Sequence, residues 1–510
     1  MNRLSSLLFP ALFLSGLAAS AQDVNEAYNL SNLTVQGTAR SMGFGNALGS
    51  IGGDFSSLSV NPAGIGVYRN SEFTFTPSLK VNGATGQYLG QNTSDNNTRF
   101  NINNFGLVFT NAARGKRAEK RAWKAVSFGL GMNRVADFNY NYTYQGENRT
   151  SSATQAFESD ANQNPGNDTT AGSLGYLGYQ TYLLNHNDSG RFYSVVPFMG
   201  GINQSRTVNV TGHINEYLLS FGGNYKERLL LGVTIGIPSI YYQAVSTYTE
   251  TLAADNNAPN TYNFQTFSYN NTLTISGTGV NAKLGAIYKF SDRFRIGLAF
   301  HSPTYYSIHD VFDPYISANA QGTSTILTTN DYLYENRFDY HFTSPWRAIA
   351  SASYLFGSRA FITADYEYVD YSAMRYNYSD GYDLNTGNTY QSEQEAINQS
   401  IKGMYQAASN FRVGAEVRVT NIFMVRAGFG YYGSPYQSYD GSRIDLSAGL
   451  GLHFHRFFTD LAFVHSMYQS QEQPYNVDYS FVISGPQATI PTATINYSLN
   501  NVAWTIGCKF

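Results

Sequence analysis

The ionisable residues of this chain stand two apart along alternating runs. That spacing suits charge pairing on one wetted face better than bond-making chemistry. Arg293 and Arg295, Asp365 and Glu367, Arg412, Glu416 and Arg418, and Arg443 and Asp445 each alternate with apolar neighbours. Both signs occur, so the expected arrangement is a set of paired networks lining a lumen, because a charge facing lipid costs about 2–4 kcal/mol at the bilayer midplane. One of these arginines could hold a carboxylate head group bidentately, but the pattern singles none out. His453, His455 and His465 cluster and invite a haem-ligand reading. They fall near a turn, away from where an external ligand would enter, and are read as structural. No nucleophile elbow, phosphate-binding loop or zinc spacing occurs. The chain is therefore read as having no catalytic residue, no metal site and no cofactor. Its single cysteine, Cys508, rules out a disulfide framework within the chain and reads as a small apolar group facing lipid.

The elements that must carry these residues are β-strands, because the apolar positions recur every second residue. Phe411, Val413, Ala415, Val417 and Val419 share one face; Arg412, Gly414, Glu416, Arg418 and Thr420 share the other. Ile444, Leu446, Ala448, Leu450, Leu452 and Phe454 alternate in the same way, as do Phe294, Ile296, Leu298 and Phe300. Alternation alone does not separate a membrane barrel, apolar outward, from a soluble sandwich, apolar inward. The two ends of the chain argue for the barrel. Met1 to Ala21 reads as a secretory signal, with Arg3, an apolar core from Leu7 to Leu17 and Ala19-Ser20-Ala21 at the cleavage site. Asn500 to Phe510 alternates up to a terminal aromatic, with Val502, Trp504, Ile506, Cys508 and Phe510 on one face. This ending resembles the signal read by the outer-membrane barrel assembly machinery.

Composition agrees. Aromatics reach 15% and charged residues only 13%, as expected of strands between lipid and water with interfacial aromatic girdles. The mean hydropathy of −0.30 reflects polar lumen faces and loops. A formal net charge of −3 gives no reason to expect nucleic acid as a partner.

The fold expected is all-β: a 14-stranded antiparallel transmembrane β-barrel, a monomer in the outer membrane with both termini periplasmic. Connections after even-numbered strands are short, such as Ser291-Asp292 and His455-Arg456, with one longer, basic exception from Asn111 to Ala122. Those after odd-numbered strands are mostly long, the largest being 145–213. This divides the chain into a signal peptide (1–21), a Gly- and Ser-rich N-terminal segment (22–70) and the barrel (71–510). The N-terminal segment has no lasting period and is read as a small plug, or hatch, inside the lumen, since glycine allows tight turns and close passage of backbone.

Within that hatch, Gly53-Asp54 is followed by Asn61-Pro62-Ala63-Gly64. Asn61-Pro62 makes a rigid corner by turn chemistry, either a moving latch or a structural turn. The stretch GGDFSSLSVNPAGIG resembles the hatch of the long-chain fatty acid transporter family (FadL/TodX, OMPP1). Gly277 to Thr304 resembles that family's Gly-rich strand, short turn and strand ending in Ser-Pro, and Ser344-Pro345-Trp346 opens a further similar strand.

The resemblance implies passive transport of a hydrophobic small molecule, such as a long-chain fatty acid, into outer-membrane lipid. External loops would capture it, the hatch would gate it, and a gap in the wall would release it sideways. The candidate for a kinked strand is the third, 123–144, where Gly129, Gly131 and Asp137 could mark a bulge. The candidate loop groove runs from Leu174 to Leu184, with Leu174, Leu177, Leu183 and Leu184 as its apolar positions on a short helix. Two other functions compete: a shuttle or scaffold barrel of the same fold, binding exported cargo in type IX secretion, and a polar-solute porin, which a hatch disfavours.

Overall fold

The computed structural model describes residues 24–113, 121–163, 173–327, 336–379 and 389–510. The leader at 1–21, most of the basic turn near 111–122 and part of the 145–213 stretch lie outside the described residues.

Fourteen antiparallel strands form one closed barrel. In chain order these are β1 (Glu72–Tyr88), β2 (Gln91–Ala112), β3 (Trp123–Asp137, continued by Tyr140–Asn148), β4 (Ile202–Tyr225), β5 (Leu229–Leu252) and β6 (Thr266–Lys289). Then follow β7 (Phe294–His301, continued by Tyr305–Ala320), β8 (Asn336–Thr343, continued by Arg347–Phe356) and β9 (Ala360–Asp370, continued by Arg375–Asn377). The last are β10 (Ala407–Arg418), β11 (Phe423–Tyr432), β12 (Arg443–Phe454), β13 (Phe457–Glu472) and β14 (Ala493–Lys509). Each pairs with its sequence neighbours, and β14 closes on β1 from Glu72 opposite Lys509 to Gln87 opposite Thr494. Closure pairs every strand on both sides, apart from a stretch of β2 described below.

The facing of side chains follows the alternation. Phe411, Val413, Val417, Leu446, Leu450, Val502, Trp504 and Ile506 are exposed on the outer wall, whereas Arg412, Glu367, Asp365 and Arg426 are buried inside. Serine-proline pairs interrupt β7 and β8 side by side. There Thr304 N–H donates to Ser344 Oγ at 3.0 Å and Ser344 N–H to Thr304 O at 3.0 Å, restoring the link that Pro303 and Pro345 cannot make.

The strands overrun the sequence expectation on the long-loop side. β1 and β2 do not stop near 81 and 101 but meet in a two-residue turn, Leu89-Gly90, with φ of 47° and 81°. β4 begins at Ile202 and not after 213, which shortens the external segment. The cause is physical. β4 has 24 residues, about 80 Å along the strand at ~3.3 Å per residue. The apolar band is only about 25 Å tall. Beyond it the outward face is wet and takes polar residues such as Asn203, Ser205, Thr207 and Asn209, while the inward face packs Ile202, Val208 and Val210 into the lumen, so the apolar-out alternation vanishes.

Residues from Val24 onward enter the barrel before β1 begins. They form helix α1 (Val24–Ser31), the short helices α2 (Ala39–Gly43) and α3 (Ser57–Val60), and a 3-10 turn at Pro62–Val67. On the loop side, α4 (Thr154–Gln163) and α5 (Leu174–Gln180) follow β3, and α6 (Tyr390–Met404) follows β9.

Candidate functional site

The Gly-rich segment is held together by its own polar residues. Gly52 and Gly53 take φ of 63° and 67°, and a Cβ at Gly52 would lie 2.5 Å from Gly64 Cα. Gly53 N–H then donates to Gly64 O at 3.0 Å, tying the two ends of the motif. The buried Asp54 carboxylate accepts from Thr38 Oγ1 at 2.8 and 2.7 Å and from Ser56 N–H at 2.9 Å. Asn61 caps the 3-10 turn by accepting from Ala63 N–H at 3.1 Å, with Pro62 at its first position. Its amide Nδ2 donates to Gly49 O at 2.6 Å and reaches the wall carbonyls of Leu298 (3.3 Å) and Ala286 (3.4 Å).

The wall receives this segment on glycines. A Cβ at Gly285 would strike Asn61 Oδ1, at Gly232 Pro62 O, at Gly297 Gly49 O, and at Gly414 Phe44 O. These glycines sit on the polar faces of their strands, and that regularity was visible in the sequence, although the sequence reading did not use it. Ionic contacts add to the seat. Arg40 Nε donates to Glu416 at 3.1 Å, and Arg426 bonds Glu416 and Asp460 at 2.7 Å each. Gly49 N–H donates to Asp365 at 3.1 Å, Ser59 Oγ to Glu216 at 3.0 Å, and Ala39 N–H to Thr505 Oγ1 at 2.7 Å.

The wall itself breaks at β3. Pairing with β2 ends at Asn104 opposite Asn133; beyond it the strand bulges between Arg134 and Ala136 and is interrupted after Asp137. Its continuation pairs with β4 alone, from Tyr140 opposite Val210 to Asn148 opposite Ile202. It turns inward across β1, where a Cβ at Gly86 would strike Thr143 O and Asn82 Nδ2 bonds Asn139 O. Gln91 to Asn103 of β2 thus lacks a ladder on the β3 side. Phe100, on that stretch, is 70% exposed on the outer wall. Asp137 pins the break, pairing with Arg134 at 3.0 Å and Lys80 at 3.1 Å. Gly129 and Gly131 do not kink the strand as expected, since both stand in unbroken pairing with β2. They make room instead: a Cβ at Gly129 would lie 2.6 Å from Leu58 Cδ2, and one at Gly131 2.5 Å from Phe55 Cζ.

Two apolar clusters occupy the rest of the lumen. The inner one joins Val135, Ala136, Phe138 and Tyr142 at the break to Val24, Ala27 and Leu30 of α1 and to inward residues of most strands. It is rich in tyrosine. The Tyr28 ring lies 5.2 to 5.7 Å from those of Tyr371, Tyr405 and Tyr436, and Tyr405 Oη donates to Val24 O at 3.1 Å. The outer cluster roofs the barrel. Leu174, Leu177, Leu183 and Leu184 are all buried in it, with Phe157, Phe192, Phe264 and Phe267. The short helix expected over the first of these residues is present, but its leucines form a packed core and not an open groove. Burial holds the Asp160 carboxyl of α4 above its ordinary value, while it accepts from Gly175 N–H at 2.8 Å.

Cations are paired with acids through the lumen. Arg347 and Arg412 bond Glu367 at 2.8 and 3.1 Å, Arg206 pairs with Glu472 at 2.7 Å, and Arg443 with Asp445 at 3.1 Å. Arg295 faces the backbone of Ile51 at 3.4 Å, and Arg293 and Arg418, expected in the paired networks, stand exposed at the strand ends beyond salt-bridge reach of any described acid. Of the histidines, His453 lies 3.7 Å from Asp460, His465 shares a hydrogen bond with Asn500 at 2.9 Å, and His455 is exposed in a turn.

The sequence pattern of outer membrane protein transport proteins (OMPP1/FadL/TodX) matches residues 210–503. The chain belongs to this family. Among solved structures, a FadL homologue of Pseudomonas aeruginosa aligns over 94% of this chain and 99% of its own, at 12% identity and TM-score 0.54. The Pseudomonas putida toluene transporter TodX aligns over 93% and 98%, at 12% identity and TM-score 0.50. At such identities the likeness is one of fold. No curated protein matches the chain in sequence. As an OMPP1/FadL/TodX member, the chain is an outer-membrane transport barrel.

Proposed function

We propose that this barrel carries hydrophobic compounds passively across the outer membrane and releases them sideways between β2 and β3. The observation that carries the reading is the end of pairing at Asn104–Asn133, directly beside the apolar cluster to which Val135, Ala136 and Phe138 belong. A greasy solute leaving there enters lipid without crossing water. The route begins under the loop roof, passes the tyrosine-rich chamber and requires α1 to yield, because α1 fills that chamber. The segment from Val24 to Asn70 acts as the hatch: its glycine seat and ionic ties block a straight aqueous path. The short-turn end, with both termini, faces the periplasm. The solute is held by its apolar or aromatic body, since Arg206, Arg347 and Arg412 are already paired with carboxylates and Arg375 bonds backbone carbonyls. Uncharged aromatic or aliphatic compounds therefore fit better than solutes that need a free cation.

The test is uptake into proteoliposomes of labelled naphthalene and oleate, with arabinose as polar control. Saturable entry of the apolar solutes, with arabinose excluded until 24–70 is deleted, supports a hatch-gated hydrophobic route. Equal entry of arabinose through the intact protein contradicts it.

A further inference from the structure

The end of the barrel where the short turns lie carries a ring of cations among its described residues. Arg121 leads into β3, Lys226 and Arg228 lie between β4 and β5, and Arg293 lies between β6 and β7. Arg359 and Arg456 lie in two further turns, and Arg418 ends β10 at the last one. All seven are exposed, against two exposed acids among the described residues of those connections, Glu227 and Asp292. Glu227 is already engaged by Arg69 at 2.6 Å. Among the described residues, no carboxylate lies within salt-bridge distance of these seven. The chain as a whole has a formal charge of −3, so this excess is local.

Its surroundings are those of a membrane boundary. Trp123, Phe290, Phe294, Phe356, Phe454 and Phe457 stand exposed beside these turns. Aromatic girdles of this kind mark where a barrel leaves the hydrocarbon. The cations therefore sit one step outside the apolar band, at head-group level, and they recur around the whole circumference. A protein partner would favour one sector or the centre of that end. A ring suits an annulus of lipid.

We propose that the short-turn rim binds anionic phospholipid head groups of the adjoining leaflet, with at least one cation per turn offered to a phosphate. Arginine and lysine both serve this purpose, arginine with a fork matched to phosphate oxygens. Each such cation near an anionic surface is worth roughly a fivefold shift in partitioning, weakened by salt.

The test is native mass spectrometry of the detergent-solubilised full chain, titrated with phosphatidylglycerol or phosphatidylcholine at equal concentration. The wild type is expected to retain phosphatidylglycerol at least tenfold better, with the preference falling as salt rises. The rim variant combines Lys226→Gln, Arg228→Gln, Arg293→Gln, Arg359→Gln, Arg418→Gln and Arg456→Gln. It is expected to lose that preference, while Arg→Gln changes at Arg149, Arg191 and Arg375 on the loop side leave it intact. Folding is checked by heat-dependent gel mobility. If the rim variant does not fold, a charge-keeping set (Arg228, Arg293, Arg359, Arg418 and Arg456 to Lys) must retain the preference, and a three-turn set (Lys226, Arg293 and Arg418 to Gln) must halve it. Equal retention of the two lipids by the wild type, or unchanged preference in a folded rim variant, overturns the proposal. Capture by the rim of an acidic soluble protein in place of lipid would also overturn it.

Discussion

Asn61→Ala is the substitution from which the hatch account predicts most. The side chain makes one bond inside the 3-10 turn and one, at 2.6 Å, to Gly49 O, besides longer contacts to two wall carbonyls. Losing a helix cap costs about 1 kcal/mol. Leaving a buried carbonyl without its donor costs about 1–3 kcal/mol more. The wall carbonyls contribute little, because β6 and β7 already pair there. The hatch seat should therefore weaken by about 2–4 kcal/mol, which raises its unseated population roughly 30- to 700-fold at 1.4 kcal/mol per decade. The other ties, through Arg40, Gly49 and Ser59, keep the segment seated most of the time. Hydrogen exchange followed by mass spectrometry reads this directly. The amides of Gly53, Asn61 and Gly64 are bonded within the motif and should exchange faster by about that factor, while strand amides hold their rates. Acceleration of less than threefold at those amides would refute the latch argument and leave Asn61 as an ordinary turn residue.

Further outcomes follow from the same geometry. Gly285→Val places a side chain where Asn61 Oδ1 stands, so the barrel should close but the hatch should not seat; planar-bilayer conductance should rise towards that of the hatch deletion. Leu177→Ala empties a fully buried site in the loop roof and should cost about 2–5 kcal/mol there, seen as proteolysis of the 149–201 segment at protease levels that spare the wild type. Asp160 titrates above the ordinary 3.8 because burial penalises its charged form. A carboxyl raised on folding contributes stability that is full below its unfolded value and is lost as pH rises through its folded value. Loop-roof protection should therefore weaken with rising pH across that interval, and Asp160→Asn should flatten the slope.

Much of the barrel was legible because lipid imposes a rule on every second residue. The runs 411–419 and 444–454 show it plainly, and their apolar members are the exposed ones. Where lipid ends the rule ends too, so the hairpin at Leu89-Gly90 and the start of β4 were hidden in polar sequence. Glycine was legible as a type but not in its role. Gly129 and Gly131 looked like weak points in a strand, yet they clear space for Leu58 and Phe55. The break lies three to six residues further on, where Asp137 marks it, and only the partner strands reveal that pairing stops. The leucines near 174–184 announce burial but not its form, since a groove and a core use the same residues. The tyrosine chamber draws on distant strands, and no local pattern could assemble it.

The sideways exit is the centre of the account, and deleting Val135 tests it most directly. Val135 is the extra residue of the bulge, where Arg134 and Ala136 stand opposite the consecutive Asn215 and Ile214. Its removal restores register with β4 and should let β3 run on beside β2, closing the gap. Labelled naphthalene uptake into proteoliposomes should then fall at least tenfold, in a protein that still shows wild-type heat-dependent mobility and wild-type exchange at Gly53, Asn61 and Gly64. Uptake at the wild-type rate through a barrel so closed would contradict the account.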